Sequence, residues 1–209
     1  MGGVLERNGP QDLVVHTSFA TKSSTFFRAA LKHDWKEARE KRIVLPDTAV
    51  ADFEIYLQWL YTGHLVDLDK VVFIVAGATL VRLYILGDYL GDYLGDNCFS
   101  NTIIDKLIQY SSGKVTITGF ECETVDLAWE KTTPDSPLRK LLAQLIVCSV
   151  GGCHISPPFF DVGRWSQDVS VQVFVQTSTH ARVKVPILYQ DRCAFHKHDE
   201  EYPKGSECQ

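Results

Sequence analysis

The residue types best suited to chemistry in this chain gather near its C-terminal end. Cys193, His196 and His198 are followed, ten residues on, by Cys208. Two thiolates and two imidazoles are the ligand set of a structural zinc ion, which takes four tetrahedral ligands and leaves no open position. The C-x2-H-x-H-x9-C spacing differs from that of common zinc modules, and the acidic run Asp199-Glu200-Glu201 lies inside it. Solvated tail histidines are the plain alternative. Cys153-His154 sets a thiol beside a base, but sequence neighbours rarely point at one another and no third group orients them. Gly113-Lys114 lacks the earlier glycine and the following Ser or Thr of a phosphate-binding loop. Asp88, Asp92 and Asp96 recur every four residues and on a helix would share a face, but three carboxylates without a bracketing ligand set do not make a cation site. A solvated face or loop is expected there. With no H-E-x-x-H, no G-x-S-x-G and no paired carboxylates in a polar pocket, the chain has no catalytic residues and no cofactor-binding residues to nominate, and an enzyme is not expected.

The elements that must position these residues are legible from periodicity. Phe53, Tyr56, Leu57, Leu60 and Tyr61 follow the spacing of a helix with one buried stripe, and Gly63 supplies its stop. Asp47 or Thr48 is placed to cap its start. Thr17 to Leu31 reads as helical with Phe19, Phe26, Phe27 and Ala30 inward, Trp35 to Arg42 as a charged connector, and Ile43-Val44-Leu45-Pro46 as a short strand ended by proline. Val4-Leu5, the Asn8-Gly9-Pro10 turn and Leu13-Val14-Val15 suggest a hairpin. Leu68 to Leu86 reads as a long apolar helix. Gly87-Asp88-Tyr89-Leu90 is then repeated as Gly91-Asp92-Tyr93-Leu94, and its glycines predict a loop or a weak helix. Asn101 to Tyr110 should bury Ile103, Ile104, Leu107 and Ile108. Thr118 to Trp129 reads as a further helix. Ser136 then caps a last helix with Pro137 in its first position and Leu138, Leu141, Leu142 and Leu145 as its stripe. Beyond Gly151, the alternation of Val169, Val171, Val173 and Val175, and of Val183, Val185 and Ile187, predicts strands.

Composition bounds the function classes. The 209 residues are 45% hydrophobic and 22% charged, enough for a real core. A net charge of −5 with no basic stripe argues against direct nucleic-acid contact. Six cysteines are too few for a disulfide scaffold. No apolar leader is visible, and the longest apolar run, Val71 to Leu86, contains Arg82 and is short for a membrane span. An intracellular protein of cytoplasm or nucleus, away from the membrane, is expected.

The wording of the central helix, Phe53-Glu54-Ile55-Tyr56-Leu57-Gln58-Trp59-Leu60-Tyr61-Thr62-Gly63, is more specific than its periodicity. It resembles the signature helix of the BTB/POZ domain, in the form found in fungi. Val14-Val15-His16, Ser24 to Leu31, Trp35-Lys36-Glu37 and Ile43 to Pro46 upstream, and Leu83 to Asp88 and Asn101 to Asp105 downstream, match in the same order. The likeness covers roughly residues 4–148 and returns near residue 191, where the family's cysteine-and-histidine tail is similar to Asp191-Arg192-Cys193 onward.

That resemblance implies an α+β BTB/POZ fold, a small sheet flanked by a cluster of helices, with a mostly helical or irregular C-terminal extension. The expected organisation is a BTB/POZ domain at 4–112, a helical extension at 113–150 and a region of unassigned structure at 151–209. It implies a non-catalytic interaction module that forms homodimers or pairs with other BTB proteins. It also implies adaptor service to a cullin-type ubiquitin ligase. The alternatives are a transcription co-regulator, a scaffold that ignores cullin, or a decayed BTB paralogue. Phe53, Tyr56, Trp59, Tyr61, Leu83 and Tyr84 are the expected interaction surface, and Cys193, His196, His198 and Cys208 the expected zinc ligands. His16 carries over as a structural or pocket-lining histidine. The short first strand and the repeat stand across the surfaces the family uses for dimerisation and cullin docking.

Overall fold

The computed structural model describes residues 12–32, 34–46, 48–65, 73–88, 95–112, 122–151, 167–171 and 192–198. Helix α1 (Thr17–Ser23) breaks at Ser24 before α2 (Thr25–Lys32), because the Ser24 Oγ accepts the Phe27 amide at 3.2 Å and so starts a new helix. The helical stretch expected over Thr17 to Leu31 is therefore two helices. Phe27 and Ala30 are buried as expected, whereas Phe19 lies 43% exposed. The connector contains a short α3 (Lys36–Glu40), stopped by Lys41 in the left-handed region.

Helix α4 (Val50–Thr62) ends on Gly63 at φ 71°, whose amide returns to the Trp59 carbonyl at 2.7 Å. Thr48 is not the residue at its start, and Asp47 lies outside the described residues. Ala49 is the residue at the cap, without a side-chain bond. The buried stripe is also shifted by one residue: Asp52, Tyr56 and Trp59 point inward. Asp52 can be inside because Arg82 reaches it with two nitrogens, at 2.8 and 3.2 Å.

Helix α5 (Phe73–Gly87) is the centre of the molecule and packs most extensively on α6 (Asn97–Ser112), with further contacts to α4 and α7 (Cys122–Lys131). Leu80, Val81, Leu83 and Tyr84 are fully enclosed, as expected of a helix apolar on nearly every side. At the α5–α6 crossing no side chain fits on Gly87. A Cβ there would lie 2.7 Å from Phe99 Cδ1 and 2.8 Å from Ser100 Oγ. Ile103, Ile104, Leu107 and Ile108 of α6 are all buried. Helix α8 (Pro137–Gly151) begins at Ser136 and buries Leu138, Leu141, Leu142 and Leu145, as the stripe requires. Arg139 turns back to the end of α7, donating to the Trp129 and Thr132 carbonyls and to Thr132 Oγ1. It thereby satisfies carbonyls that a helix end leaves without partners.

The expected α+β class is corrected: among the described residues there is no strand, and the architecture is helical. Two segments read as strands, 13–15 and 43–46, are outside any helix, but no backbone ladder joins them among the described residues. The alternation at 169–171 fails for a different reason. Residues 167–171 are helical, so Val169 is buried while Val171 is 54% exposed. Two positions on a helix are about 200° apart, so they cannot share a face as they would on a strand. The rest of that alternation, most of the N-terminal hairpin, Cys153-His154 and Gly113-Lys114 lie outside the described residues.

Candidate functional site

Three arrangements are built by these elements: an apolar groove, a buried polar hub and a ligand cluster on the C-terminal segment.

The groove lies between segments 12–17 and 41–48. It has a volume of about 730 Å³ and is walled by Leu13, Val15, Ala20, Phe27, Ile43 and Leu45. Val14 is 92% exposed and Val44 72% exposed on the same two segments. The amides of residues 13–15 and 43–45 make no backbone hydrogen bond among the described residues. Asp12 and Arg42 join the two segments through an exposed ion pair of 2.9 Å, which contributes little to stability. Beside the groove, His16 and Tyr61 meet twice: the His16 amide donates to the Tyr61 hydroxyl at 2.9 Å, and its Nδ1 lies 2.8 Å from the same oxygen. Phe19 stacks obliquely on Tyr61, with ring centroids 4.9 Å apart. His16 thus holds a tyrosine at the end of α4, the structural part expected of it.

The hub is Asp96. Its Oδ1 accepts the Phe99 amide at 2.9 Å, capping α6, and its Oδ2 accepts Ser23 Oγ at 2.6 Å and the Tyr56 hydroxyl at 3.1 Å. One carboxylate therefore ties α1, α4 and α6 together. Burial pushes its pKa above the ordinary carboxylate value, although these three donors and the Cys98 amide oppose the shift. Burial also raises the Tyr56 phenol far above its usual range, and the adjacent Asp96 charge adds to the effect. Asp88 is likewise interior and forms an ion pair with Lys197. Asp88 and Asp96 therefore do not form a solvated face, and Asp92 lies outside the described residues.

The six residues of the expected interaction surface differ in exposure. Tyr56, Trp59, Leu83 and Tyr84 are interior, and Phe53 is half-buried against the core. Of the six, Tyr61 alone is exposed, at 41%. Tyr84 packs beneath Lys197, whose nitrogen is 5.9 Å from the ring centroid. Aromatic density in the signature helix marks the core of the fold, because large rings dominate interior packing.

At the C-terminal segment a 3-10 turn, Arg192–Phe195, precedes His196 to His198. Cys193, His196 and His198 come together, with one ligand atom from each within 4.8 Å of the others. Cys208 lies outside the described residues. Cys193 is disulfide-bonded. The segment is fixed on α6 by a reciprocal pair: the Lys197 amide donates to Asn101 Oδ1 at 2.8 Å, and Asn101 Nδ2 donates to the Lys197 carbonyl at 3.0 Å. His196 Nε2 is 3.1 Å from Asp105 Oδ1. Phe195 is buried in the core. Sequence reasoning names the three candidate ligands but misses Asn101 and Asp105. Their spacing of four on an amphipathic helix is a signal that both occupy one face.

Among the described residues no helix is long and apolar enough to cross a membrane. Residues 7–90 match the family model of the BTB/POZ domain. No curated protein and no solved structure matches the chain.

Proposed function

We propose that this chain forms a homodimer, because residues 7–90 match the model of the BTB/POZ domain, a family of generally non-catalytic modules for self-association and for binding other proteins. An extended segment of the second copy adds along the groove between 12–17 and 41–48. The observation that carries this reading is the pair of segments whose amides at 13–15 and 43–45 make no backbone bond among the described residues, flanking an apolar channel. An added strand would satisfy those amides, and its alternate side chains would enter the apolar wall. Val14 and Val44, exposed on the same segments, would be covered.

The test is the molar mass of the full chain by light scattering, beside the double variant Val14→Lys/Val44→Lys. Both positions are exposed, so the substitutions leave the core untouched, while edge lysines oppose strand pairing. A dimer that becomes a folded monomer in the variant supports the reading. A monomer at high micromolar concentration, or a variant dimer as tight as the original, overturns it. Adaptor service to a cullin-type scaffold is a finer form of the same role. Its expected surface, Leu83 to Asp92, is already engaged where described: Leu83 and Tyr84 are interior and Asp88 pairs with Lys197. Titration with a cullin N-terminal domain tests it directly, micromolar binding supporting it and its absence leaving a dimerisation module.

A further inference from the structure

We propose that the end of α5 and one face of α6 form a peptide-binding site, which the chain's own residues 194–198 fill as an autoinhibitory strap. The partner this site fits is a segment of another protein with the strap's chemistry, an aromatic anchor followed by two basic side chains.

The strap is held as a ligand is held. Among the described residues no backbone-to-backbone hydrogen bond joins 194–198 to α5, α6 or α8. Side chains of the helices grip it instead. Asn101 makes two bonds to a single strap residue: its Oδ1 accepts the Lys197 amide at 2.8 Å, and its Nδ2 donates to the Lys197 carbonyl at 3.0 Å. A carboxamide has both a donor and an acceptor, so used in this way it reads peptide backbone and is indifferent to the side chain.

Selectivity comes from three adjoining subsites. Phe195 is 4% exposed and packs into the core cluster, and an enclosed aromatic is the usual energetic anchor of an interface. One residue on, His196 Nε2 lies 3.1 Å from Asp105 Oδ1. Next, Lys197 pairs with Asp88 and lies over the Tyr84 ring. Asp88 and Tyr84 are both interior, so this subsite is an anionic pocket with an aromatic wall, and an ammonium group suits both. Two basic side chains thus meet two carboxylates in register with the anchor. Charge complementarity of this kind selects partner and register more than it raises affinity.

A departing strap takes the lysine from Asp88 and the ring from the core, and a segment of like chemistry replaces both. The Cys193 disulfide tethers the strap at its start, so release of 195–198 leaves them close by. A site filled from within for more than about nine-tenths of the time weakens binding from outside about tenfold or more. The strap therefore sets a threshold that a partner must exceed. None of Asp88, Asn101 and Asp105 lines the groove between 12–17 and 41–48, so strap and homodimer are tested separately.

The experiment measures fluorescence anisotropy of a labelled peptide of residues 194–198 with the full chain. Phe195→Ala with Lys197→Ala in the chain removes the strap's anchor and cation and leaves the site's own residues in place. The released chain, its helicity checked by circular dichroism, should bind the peptide about tenfold or more tightly than the unsubstituted chain. Adding Asn101→Ala or Asp88→Asn to the released chain should weaken that binding about tenfold each. A scrambled peptide of the same composition should not compete. No binding by a folded released chain overturns the proposal. So does equal affinity in the released and unsubstituted chains, equal competition by the scrambled peptide, or indifference to Asn101→Ala and Asp88→Asn. Should the released chain fail to fold, nuclear magnetic resonance of the isotope-labelled unsubstituted chain decides. Millimolar peptide should shift the Lys197 amide resonance as its bond to Asn101 is exchanged, and an unmoved resonance overturns the proposal.

Discussion

Replacing Asp96 with alanine removes the one carboxylate on which three helices converge. The loss has separable parts. Deleting the cap of α6 costs about 1 kcal/mol. The Tyr56 hydroxyl is enclosed, and stranding a buried donor costs about 1–3 kcal/mol. Ser23 is only partly buried, so its hydroxyl can turn to water at small cost. Against these stands relief from holding a carboxylate in the interior. A net destabilisation of about 3 kcal/mol is expected for Asp96→Ala, from these terms together. Asp96→Asn keeps an oxygen for the Phe99 amide, and the two hydroxyls can reverse to accept from its nitrogen. Its cost should be about 1 kcal/mol. Urea denaturation followed by circular dichroism, with the slope checked for constancy, measures both. Coupling to Tyr56→Phe in a double-mutant cycle should be about 1–2 kcal/mol.

The same carboxyl carries a pH signature. Its folded pKa lies above the ordinary value of 3.8 because burial disfavours the anion. The folded chain therefore binds this proton more tightly than the unfolded chain. Its contribution to stability is present below pH 3.8 and is lost as pH rises through the folded pKa. Asparagine does not titrate, so the stability of the unsubstituted chain minus that of Asp96→Asn should be largest in acid and shrink toward neutrality. A difference that grows with pH, or an alanine variant within about 0.5 kcal/mol of the original, the scatter of surface substitutions, would refute the reasoning.

Two further substitutions probe the packing around this hub. Gly87→Ala places a methyl 2.7 Å from Phe99 Cδ1, and such overpacking should cost about 1–3 kcal/mol, read as a lower melting temperature. An unchanged melting temperature would mean that α5 and α6 separate freely at their crossing. Lys197→Met removes the counter-ion of Asp88, whose side chain is only 6% exposed. A loss of about 2 kcal/mol is expected, less than for a fully buried pair because Lys197 is 25% exposed. Limited proteolysis should then cut within 192–198 sooner than in the original chain, and restoring part of the stability with Asp88→Asn in the same background checks the pairing.

Much of the helical frame is readable from the sequence because α6 and α8 have a single apolar face. Ile103, Ile104, Leu107 and Ile108, and Leu138, Leu141, Leu142 and Leu145, admit one orientation each, and all eight are buried. Helix α4 is apolar on several sides, so periodicity places its inward stripe one residue off, and a buried aspartate on that stripe cannot be foreseen without its partner thirty positions away, Arg82. The same blindness to distant partners affects the site. The zinc-type ligands are visible as residue types, but Asp105 and Asn101, ninety-one and ninety-six positions from His196 and Lys197, acquire meaning only when α6 meets the tail. Where the expected C-terminal strands meet described residues, they rest on Val169 and Val171, too few positions to tell a period of two from a helical turn. The aromatic signature suggests a surface, although its rings are among the core's largest side chains. A motif can identify a family while saying little about which of its atoms meet a partner.

The amide of Asp96 donates to the carbonyl of Gly87 at 2.8 Å, so the chain leaves α5 and re-enters α6 through one narrow neck. Whatever length of polypeptide is threaded between those two residues, both anchors stay in place. Doubling a loop costs only about 0.6 kcal/mol in closure entropy. A whole extra Gly-Asp-Tyr-Leu copy can thus be gained or lost between these two anchors at small entropic cost. The neck makes this crossing a point where the genetic record is free to stutter, provided that Asp88 keeps Lys197 and the Gly95 carbonyl keeps the Thr25 amide and hydroxyl.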